Sequence, residues 1–261
     1  MIEILADVVL SPNDLVPGEN LTRQVHALLR RLILELRFPP NRTISDKEVA
    51  AKLGISKTPV REALIRLEEE GLIRVVPKSR TYVTPIDLQR YHEGFVVRNA
   101  LERLAVREAA RHRSFEHVCW LEANLAKQRA AINSQEFWEF YTLDERFHAL
   151  IFQAAGIPGV WDIVNVAKVE IDRVRSLKVV FGIRRIEGVI SEHDAIVRAI
   201  RERDPEAAEA MMGEHIGSIE NKISQLTEDV EFWNYFERVN TGNAAARKTA
   251  EETGNTPAVQ E

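Results

Sequence analysis

The segment Gly54–Leu64 most constrains the fold, because it places a glycine turn directly before an amphipathic helix. Lys57 and Arg61 lie in the first turns of that helix. A shorter helix precedes it and begins at Ser45, a residue type that caps helix N-termini. This order of elements lets a cationic helix project from its own domain, as a helix that enters the major groove of DNA must.

Charge is distributed unevenly along the chain. The 261 residues have a formal net charge of −5, yet residues 20–84 contain 13 Lys/Arg and 7 Asp/Glu, a balance of +6. The remaining residues therefore carry −11. Because phosphate neutralisation is a local effect, an acidic protein with a basic N-terminal third is compatible with DNA binding.

The composition excludes several other classes of protein. No apolar run approaches the roughly 18 residues needed to span a bilayer. Glu3 and Asp7 interrupt any pattern of a secretory signal peptide, and the only cysteine, Cys119, excludes an internal disulfide framework and a multi-cysteine zinc site. We therefore expect a cytoplasmic protein with no membrane partner.

The N-terminal region is predicted to be an irregular arm over residues 1–19 and a winged helix-turn-helix domain over residues 20–84. Apolar residues recur at helical spacing from Leu21 to Leu36, and the Gly54 turn joins the next two helices. Two β-prone runs with a basic tip between them follow, and they predict a hairpin, the wing. The runs are residues 72–76 and 81–84.

The C-terminal region shows helical patterns only. We predict six helices, near residues 86–112, 114–132, 134–155, 158–181, 183–203 and 205–227. Short loops between them favour an antiparallel bundle, so residues 85–228 are predicted to form an all-α effector-binding and dimerisation domain. Residues 229–261 are predicted to be a short helix and a disordered tail. The fold class is therefore mainly α, a winged helix-turn-helix followed by a helix bundle.

In a winged helix-turn-helix, the starts of the second and third helices and the wing meet DNA. Arg61 is the preferred base-reading residue, because its guanidinium can bond guanine O6 and N7 together. Basic residues at such places are also common as solvated surface charges, and the order of the elements favours DNA. The candidate DNA contacts are Lys47, Ser56, Lys57, Thr58, Arg61, Lys78 and Arg80.

Three of the predicted bundle helices carry a histidine on their apolar face. Asp144 and His148 are four residues apart and share one face, while His193 and His215 interrupt two other apolar stripes. A single such histidine is usually a hydrogen-bonded core residue. Four polar groups on three stripes also suit a divalent metal, zinc above all, or nickel, manganese, iron or cobalt. The pattern alone leaves both interpretations open.

The segments Ile55–Leu64 and Leu67–Ile73 closely resemble the winged-helix domain of GntR-family transcription regulators. Lys57 stands where arginine is common, and the wing tip from Lys78 to Thr81 replaces the usual Gly-Arg-Gly type. Lysine cannot make the bidentate contact of arginine, so the operator sequence of this chain does not follow from the resemblance.

The bundle resembles the FCD effector domain of the FadR-like branch of that family, in its six-helix, VanR-like version. The resemblance is carried by Asp144–His148, Glu192–Ile196, Met212–Ile216 and the Arg-x-x-Leu-Glu pattern within Val97–Glu102. Metal-binding members use one aspartate and three histidines at these places. The resemblance therefore implies that Asp144, His148, His193 and His215 bind a metal.

The resemblance further implies a homodimeric regulator, commonly a repressor, that binds operator DNA and a small organic acid. Arg98 is a candidate carboxylate contact and equally a candidate for a salt bridge, and Asn165 and Arg175 are weaker effector-binding candidates. Two alternatives remain. One is a metal-dependent hydrolase-like bundle, although no residue is an obvious general base. The other is a DNA-binding protein whose metal is purely structural.

Overall fold

The computed structural model describes residues 9–134, 137–180, 186–227 and 230–241. The chain divides into two compact units, the first of Met1–Ile86 with Thr227–Glu261 and the second of Asp87–Leu226. The start of the predicted arm, residues 1–8, and the predicted tail beyond residue 241 lie outside the described residues.

Over its described residues, the first unit contains three helices, a two-stranded antiparallel sheet and a C-terminal helix. A short 3-10 helix, Pro12–Asp14, precedes them within the predicted arm. The main elements are α1 (Leu21–Leu34), α2 (Asp46–Leu53), α3 (Lys57–Glu69), β1 (Ile73–Val76), β2 (Arg80–Val83) and α11 (Val230–Thr241).

Local chemistry sets the boundaries of these helices. The side chain of Asn20 accepts from the N–H of Arg23 at the start of α1, and Ser45 does the same from Glu48 at the start of α2. Gly54 ends α2 with a φ of 67°, in the left-handed region that favours glycine. The apolar faces of α1, α2 and α3 are buried, which leaves the polar face of α3 exposed.

The wing is a hairpin in which Ile73 pairs with Val83 and Val76 pairs with Arg80. Its buried residues lie at the base, and the tip is exposed. Lys78 at the tip has a φ of 58°, a conformation that glycine adopts more readily. The tip therefore presents the basic side chains of Lys78 and Arg80 where the resembled family usually has glycine.

Helix α11 belongs to the first unit and is held to it by Asn240. The Asn240 side chain accepts from the N–H of Ile86 and donates to the Ile86 carbonyl at 2.9 Å. The Asn240 carbonyl accepts from Nδ2 of Asn41 at 2.7 Å. One residue thus joins the C-terminal helix to the end of the segment that follows β2.

We expect Asn240→Ala to lower the free energy of unfolding by about 1–3 kcal/mol, because both polar groups of Ile86 lose their partner. Denaturant unfolding measures the loss, and hydrogen exchange should show lower protection of the Ile86 amide. Asn133→Ala is the matched control, because Asn133 is exposed at the end of its helix. Unchanged protection of Ile86 in Asn240→Ala would contradict the assignment.

The second unit is all helical in its described residues. Its helices are α4 (Leu88–His112), α5 (Phe115–Asn133), α6 (Phe137–Ala154), α7 (Val160–Ala167), α8 (Val169–Val180), α9 (Ile186–Glu202) and α10 (Pro205–Thr227). Buried residues of α4, α5, α6, α9 and α10 form a shared apolar core. The mainly α architecture predicted from the sequence is confirmed.

The prediction of one helix over residues 158–181 was wrong, because the chain forms α7 and α8 with a break at Lys168. A Cβ on Gly94 would lie 2.3 Å from the carbonyl oxygen of Ala167, so α4 packs its backbone directly on the break. The buried Lys168 ammonium bonds Glu145 at 2.5 Å and Asp172 at 2.6 Å. Tertiary packing therefore interrupts the segment 160–180, whose sequence contains no glycine or proline.

Candidate metal centre and nucleic-acid interface

Four buried side chains from three helices meet inside the second unit. Asp144 and His148 come from α6, His193 from α9 and His215 from α10. One potential ligand atom from each lies within 4.8 Å of the others. Their exposed fractions are 3%, 0%, 0% and 1%, so water does not reach them freely.

The helical spacing and the surrounding core explain this convergence. Asp144 and His148 are one turn apart on α6, so both project from the same face. The ring of His193 stacks on Phe147 with centroids 4.0 Å apart. The ring of His215 lies 4.8 Å from His193 and 5.3 Å from His148. Packing thus holds three imidazoles around one carboxylate.

Each imidazole has its Nδ1 against an acceptor from another residue. Oε2 of Glu102 lies 2.5 Å from Nδ1 of His148, and Oε2 of Glu192 lies 2.8 Å from Nδ1 of His215. Oε1 of Gln128 lies 2.9 Å from Nδ1 of His193. Because Gln128 and Glu192 accept, Nδ1 of His193 and Nδ1 of His215 carry the proton, and their Nε2 atoms offer a lone pair. At His148, Nη2 of Arg98 donates to Nε2 at 3.2 Å, which leaves the proton on Nδ1.

Nε2 of His148 and Nε2 of His193 both face Oδ1 of Asp144, the former at 3.8 Å. Nε2 of His193 and Nε2 of His215 are buried without a hydrogen-bond partner. Nε2 of His193 lies 3.4 Å from Oδ1 of Asp144. Leaving such groups unpaired in a protein interior is costly, whereas one divalent cation would satisfy them together. Three imidazole nitrogens and one carboxylate are a donor set that suits zinc.

The carboxylates of the cluster are held in their charged form. Burial raises the pKa of Asp144, but the guanidinium of Arg175, 2.9 Å away, is the largest opposing influence, and that pKa lies well below its usual range. Burial likewise opposes the charge of Glu102, yet Arg98 and His148 keep its pKa well below the usual value. Both groups are therefore anionic at neutral pH.

Two of the three imidazoles, those of His193 and His215, are neutral at neutral pH. Burial lowers the pKa of His193 well below its usual value, and the neighbouring His215 lowers it further. Burial also lowers the pKa of His215, although the hydrogen bond that Nδ1 donates to Glu192 acts to raise it. Neutral imidazole is the form that binds a metal, so these side chains need not lose a proton first at neutral pH.

The three residues proposed from the sequence to contact an effector have different surroundings. Arg98 is buried, with Nε 2.5 Å from Oε1 of Glu102 and Nη2 3.2 Å from Nε2 of His148. Arg175 bonds Asp144. Asn165 is half-buried on α7, one turn beyond Trp161, whose ring lies parallel to His148 at 6.2 Å. Arg98 therefore forms the salt bridge weighed as an alternative, and it does so beside a candidate metal ligand.

Sequence reasoning did not identify the acceptors around the histidines. Asn124 and Gln128 are buried on the face of α5 that also buries Val118, Leu121 and Leu125. They are thus polar residues on an apolar stripe, the same signal that identified the histidines. Glu102 occupies a comparable buried position on α4.

The structure leaves every candidate DNA contact exposed on the first unit. The residues are Lys47 at the start of α2, Ser56, Lys57, Thr58 and Arg61 at the start of α3, and Lys78 and Arg80 on the wing. Nε of Arg61 lies 2.7 Å from Oδ2 of Asp46, and the guanidinium of Arg80 lies over the Tyr82 ring. Because the side chain of Arg61 is 66% exposed, that pairing is open to exchange for another partner.

Among the described helices, none combines the length and the apolar character that crossing a bilayer requires.

Two protein families match the chain. Residues 21–83 match the family described as bacterial regulatory proteins, gntR family, and residues 93–218 match the FCD domain. The first match covers α1 to β2, and the second covers the helices that carry the four clustered residues. Helix α11 lies outside both matches.

Known proteins resemble the chain over most of its length. The HTH-type transcriptional repressor RspR of Escherichia coli is 32% identical over 84% of this chain and 96% of its own. An HTH-type transcriptional regulator of Streptomyces ambofaciens is 31% identical over 80% of this chain and 87% of its own.

Solved structures share the fold. Escherichia coli McbR/YncC superposes with a TM-score of 0.70 at 21% identity, covering 81% of this chain and 99% of that one. A GntR regulator from Rhodococcus superposes with a TM-score of 0.66 at 19% identity, covering 78% and 97%.

Proposed function

Because the chain belongs to the GntR family of bacterial transcription regulators and carries an FCD domain, we propose that it is a repressor controlled by a metal-bound organic acid. Proteins of this family are DNA-binding transcription regulators and not enzymes, so the hydrolase alternative is set aside. The buried cluster of one aspartate and three histidines is the main support for control by a metal and an organic acid.

In this proposal, α3 enters the major groove and the wing contacts the backbone. Lys57 and Thr58 at the start of α3 contact phosphates, together with Lys47, Ser56, Lys78 and Arg80. The guanidinium of Arg61 leaves its ion pair with Asp46 and donates hydrogen bonds to the edge of a guanine. The exposure of all seven residues supports this assignment. Two copies of the chain form a homodimer that reads the two halves of a roughly palindromic operator in the cytoplasm.

Asp144, His148, His193 and His215 bind the metal, with zinc preferred and nickel, manganese or iron as alternatives. The support is the neutral state of His193 and His215 and their unsatisfied Nε2 atoms. A bound divalent cation supplies a Lewis-acidic anchor for a carboxylate. The chain contributes the buried donor set and the acceptors that orient it.

Arg98 is the proposed contact for the effector carboxylate, with Arg175 and Asn165 at the edges of the site. Its guanidinium already lies beside His148, so a carboxylate at the metal would be within its reach. Relief of repression then follows from a change in the position of the two recognition helices when the acid binds.

Elemental analysis and a thermal-shift screen of organic acids, with and without chelator, test the effector proposal. We expect bound zinc and stabilisation by at least one acid only in metal-loaded protein, because a ligand that binds the folded state raises its stability. If the bundle unfolds without metal and no acid alters DNA binding, the metal is purely structural and the sensor proposal fails.

We expect Arg61→Ala to weaken binding to the operator by about 1–3 kcal/mol more than binding to random DNA, because a base contact is lost. Fluorescence anisotropy with operator and random duplexes measures the difference. Arg66→Ala, an exposed position further along the same helix, is the matched control. Equal losses on both duplexes would remove Arg61 from base recognition.

A further inference from the structure

Two buried amides on α5 form a hydrogen-bonded chain that ends at His193. Asn124 is 4% exposed and Gln128 is fully buried. Nε2 of Gln128 donates to Oδ1 of Asn124 at 2.7 Å and lies 3.4 Å from the carbonyl oxygen of Leu143. Nδ2 of Asn124 donates to the same carbonyl at 3.1 Å.

The Leu143 carbonyl fixes the orientation of both amides. A carbonyl oxygen only accepts, so each amide must turn its NH₂ group towards it. Gln128 must then present its oxygen to His193, where Oε1 lies 2.9 Å from Nδ1. The orientation of Gln128 therefore follows from its partners, and a flipped amide would place two donors or two acceptors in contact.

The oriented amide selects one tautomer of His193. Because Oε1 of Gln128 accepts, Nδ1 of His193 carries the proton and Nε2 carries the lone pair. That Nε2 faces Asp144 and has no hydrogen-bond partner. Leu143 directly precedes Asp144 on α6, so the same chain of bonds also anchors α6 beside a second candidate ligand.

We propose that Gln128, held by Asn124 and the Leu143 carbonyl, is a positioning residue that keeps His193 in its metal-binding tautomer. The inference rests on the proposed function, since it concerns the affinity of the four-residue cluster for a divalent cation. A neutral amide suits this place because it directs the imidazole without adding a fourth carboxylate to Glu102, Asp144 and Glu192.

The test is zinc affinity, measured on the full chain by competition with a chromophoric chelator. Gln128→Met keeps the size of the side chain and removes the acceptor, and it should bind Zn²⁺ about 10–100-fold more weakly. Gln128→Glu restores an acceptor and should recover most of the affinity. Gln153→Met, at a half-buried position of α6, is the matched control and should equal the wild type.

A second measurement needs no metal. Nitrogen-15 chemical shifts of the imidazoles in chelator-treated protein should show His193 with its proton on Nδ1 in the wild type. Gln128→Met should shift His193 towards the other tautomer, which a purely space-filling role for Gln128 would not do. If Gln128→Met fails to fold, Asn124→Ala replaces it, with a several-fold loss of zinc affinity expected.

The outcomes separate this inference from the proposed function. If the wild type and Gln128→Met bind zinc with the same affinity, the positioning role is wrong and the metal site stands. The same holds if Gln128→Glu loses as much zinc affinity as Gln128→Met. A wild type that takes up no zinc overturns the metal site, and the positioning role falls with it. Loss in Gln128→Met, recovery in Gln128→Glu and the tautomer shift together support the inference.

Discussion

His193→Ala should weaken zinc binding by the full-length protein more than about 100-fold, beyond the range typical of changes around the ligands. Nε2 of His193 is buried, unpaired and 3.4 Å from Asp144, so the substitution removes one of the four candidate donors. Its low pKa also means that the lost ligand is one that is neutral at neutral pH. Chelator competition measures the change in affinity.

His112→Ala is the control for that experiment, because the side chain of His112 is 65% exposed at the end of α4. It should bind zinc as the wild type does. Equal affinities for His193→Ala and the wild type would place the metal elsewhere, and equal losses in both variants would indicate a general effect on folding.

Glu102→Ala should lower the free energy of unfolding by about 3–5 kcal/mol, because it leaves the guanidinium of Arg98 buried without its carboxylate. Arg98 and Glu102 are 2% and 1% exposed and lie 2.5 Å apart. The double variant Arg98→Met/Glu102→Leu should recover most of the loss, since it removes both charges. Urea unfolding of chelator-treated protein measures both, and tryptophan emission reports mainly on this unit, which holds Trp120, Trp138 and Trp161.

Glu108→Ala on the same helix is the matched control, because Glu108 pairs with more exposed partners, Arg111 and His112. Its loss should stay below about 1 kcal/mol. If Glu102→Ala lowered the free energy of unfolding by an equally small amount, the buried guanidinium of Arg98 would not need Glu102 as its partner.

The buried carboxylates and imidazoles of this unit predict that its stability depends on pH. The pKa of Glu102 and that of Asp144 are lowered by folding, so both carboxylates contribute stability above their unfolded values and lose it as pH falls towards the folded ones. The buried His193 and His215 have lowered pKa values, so acidification below about 6.5 protonates them preferentially in the unfolded chain. Both effects therefore lower the free energy of unfolding as the pH falls.

The mainly α fold could be predicted from the sequence because its signals are local. Apolar spacing identified the helices, and Gly54 and Ser45 marked the turn and the start of α2. The break at Lys168 could not be predicted, because its cause is the approach of Gly94 to the Ala167 carbonyl from a distant helix. No glycine or proline lies near position 168.

For the candidate metal site, the sequence identified a set of four residues, and the structure brings all four together. Their role as metal ligands stays a prediction. The sequence did not identify Gln128, Glu102 or Glu192, because a partner on another helix is visible only in three dimensions. Asn124 and Gln128 are nevertheless polar residues on the apolar face of α5, the same pattern that identified the histidines.

The most direct test of the account measures DNA affinity in response to metal and acid. DNA selected from a random pool serves as the operator for zinc-loaded and chelator-treated protein, with acetate, lactate, malate and citrate added separately. We predict that at least one acid weakens operator binding about 5–150-fold in the zinc-loaded protein only. Operator affinity that is unchanged by chelator and by all four acids would contradict regulation by a metal-bound acid.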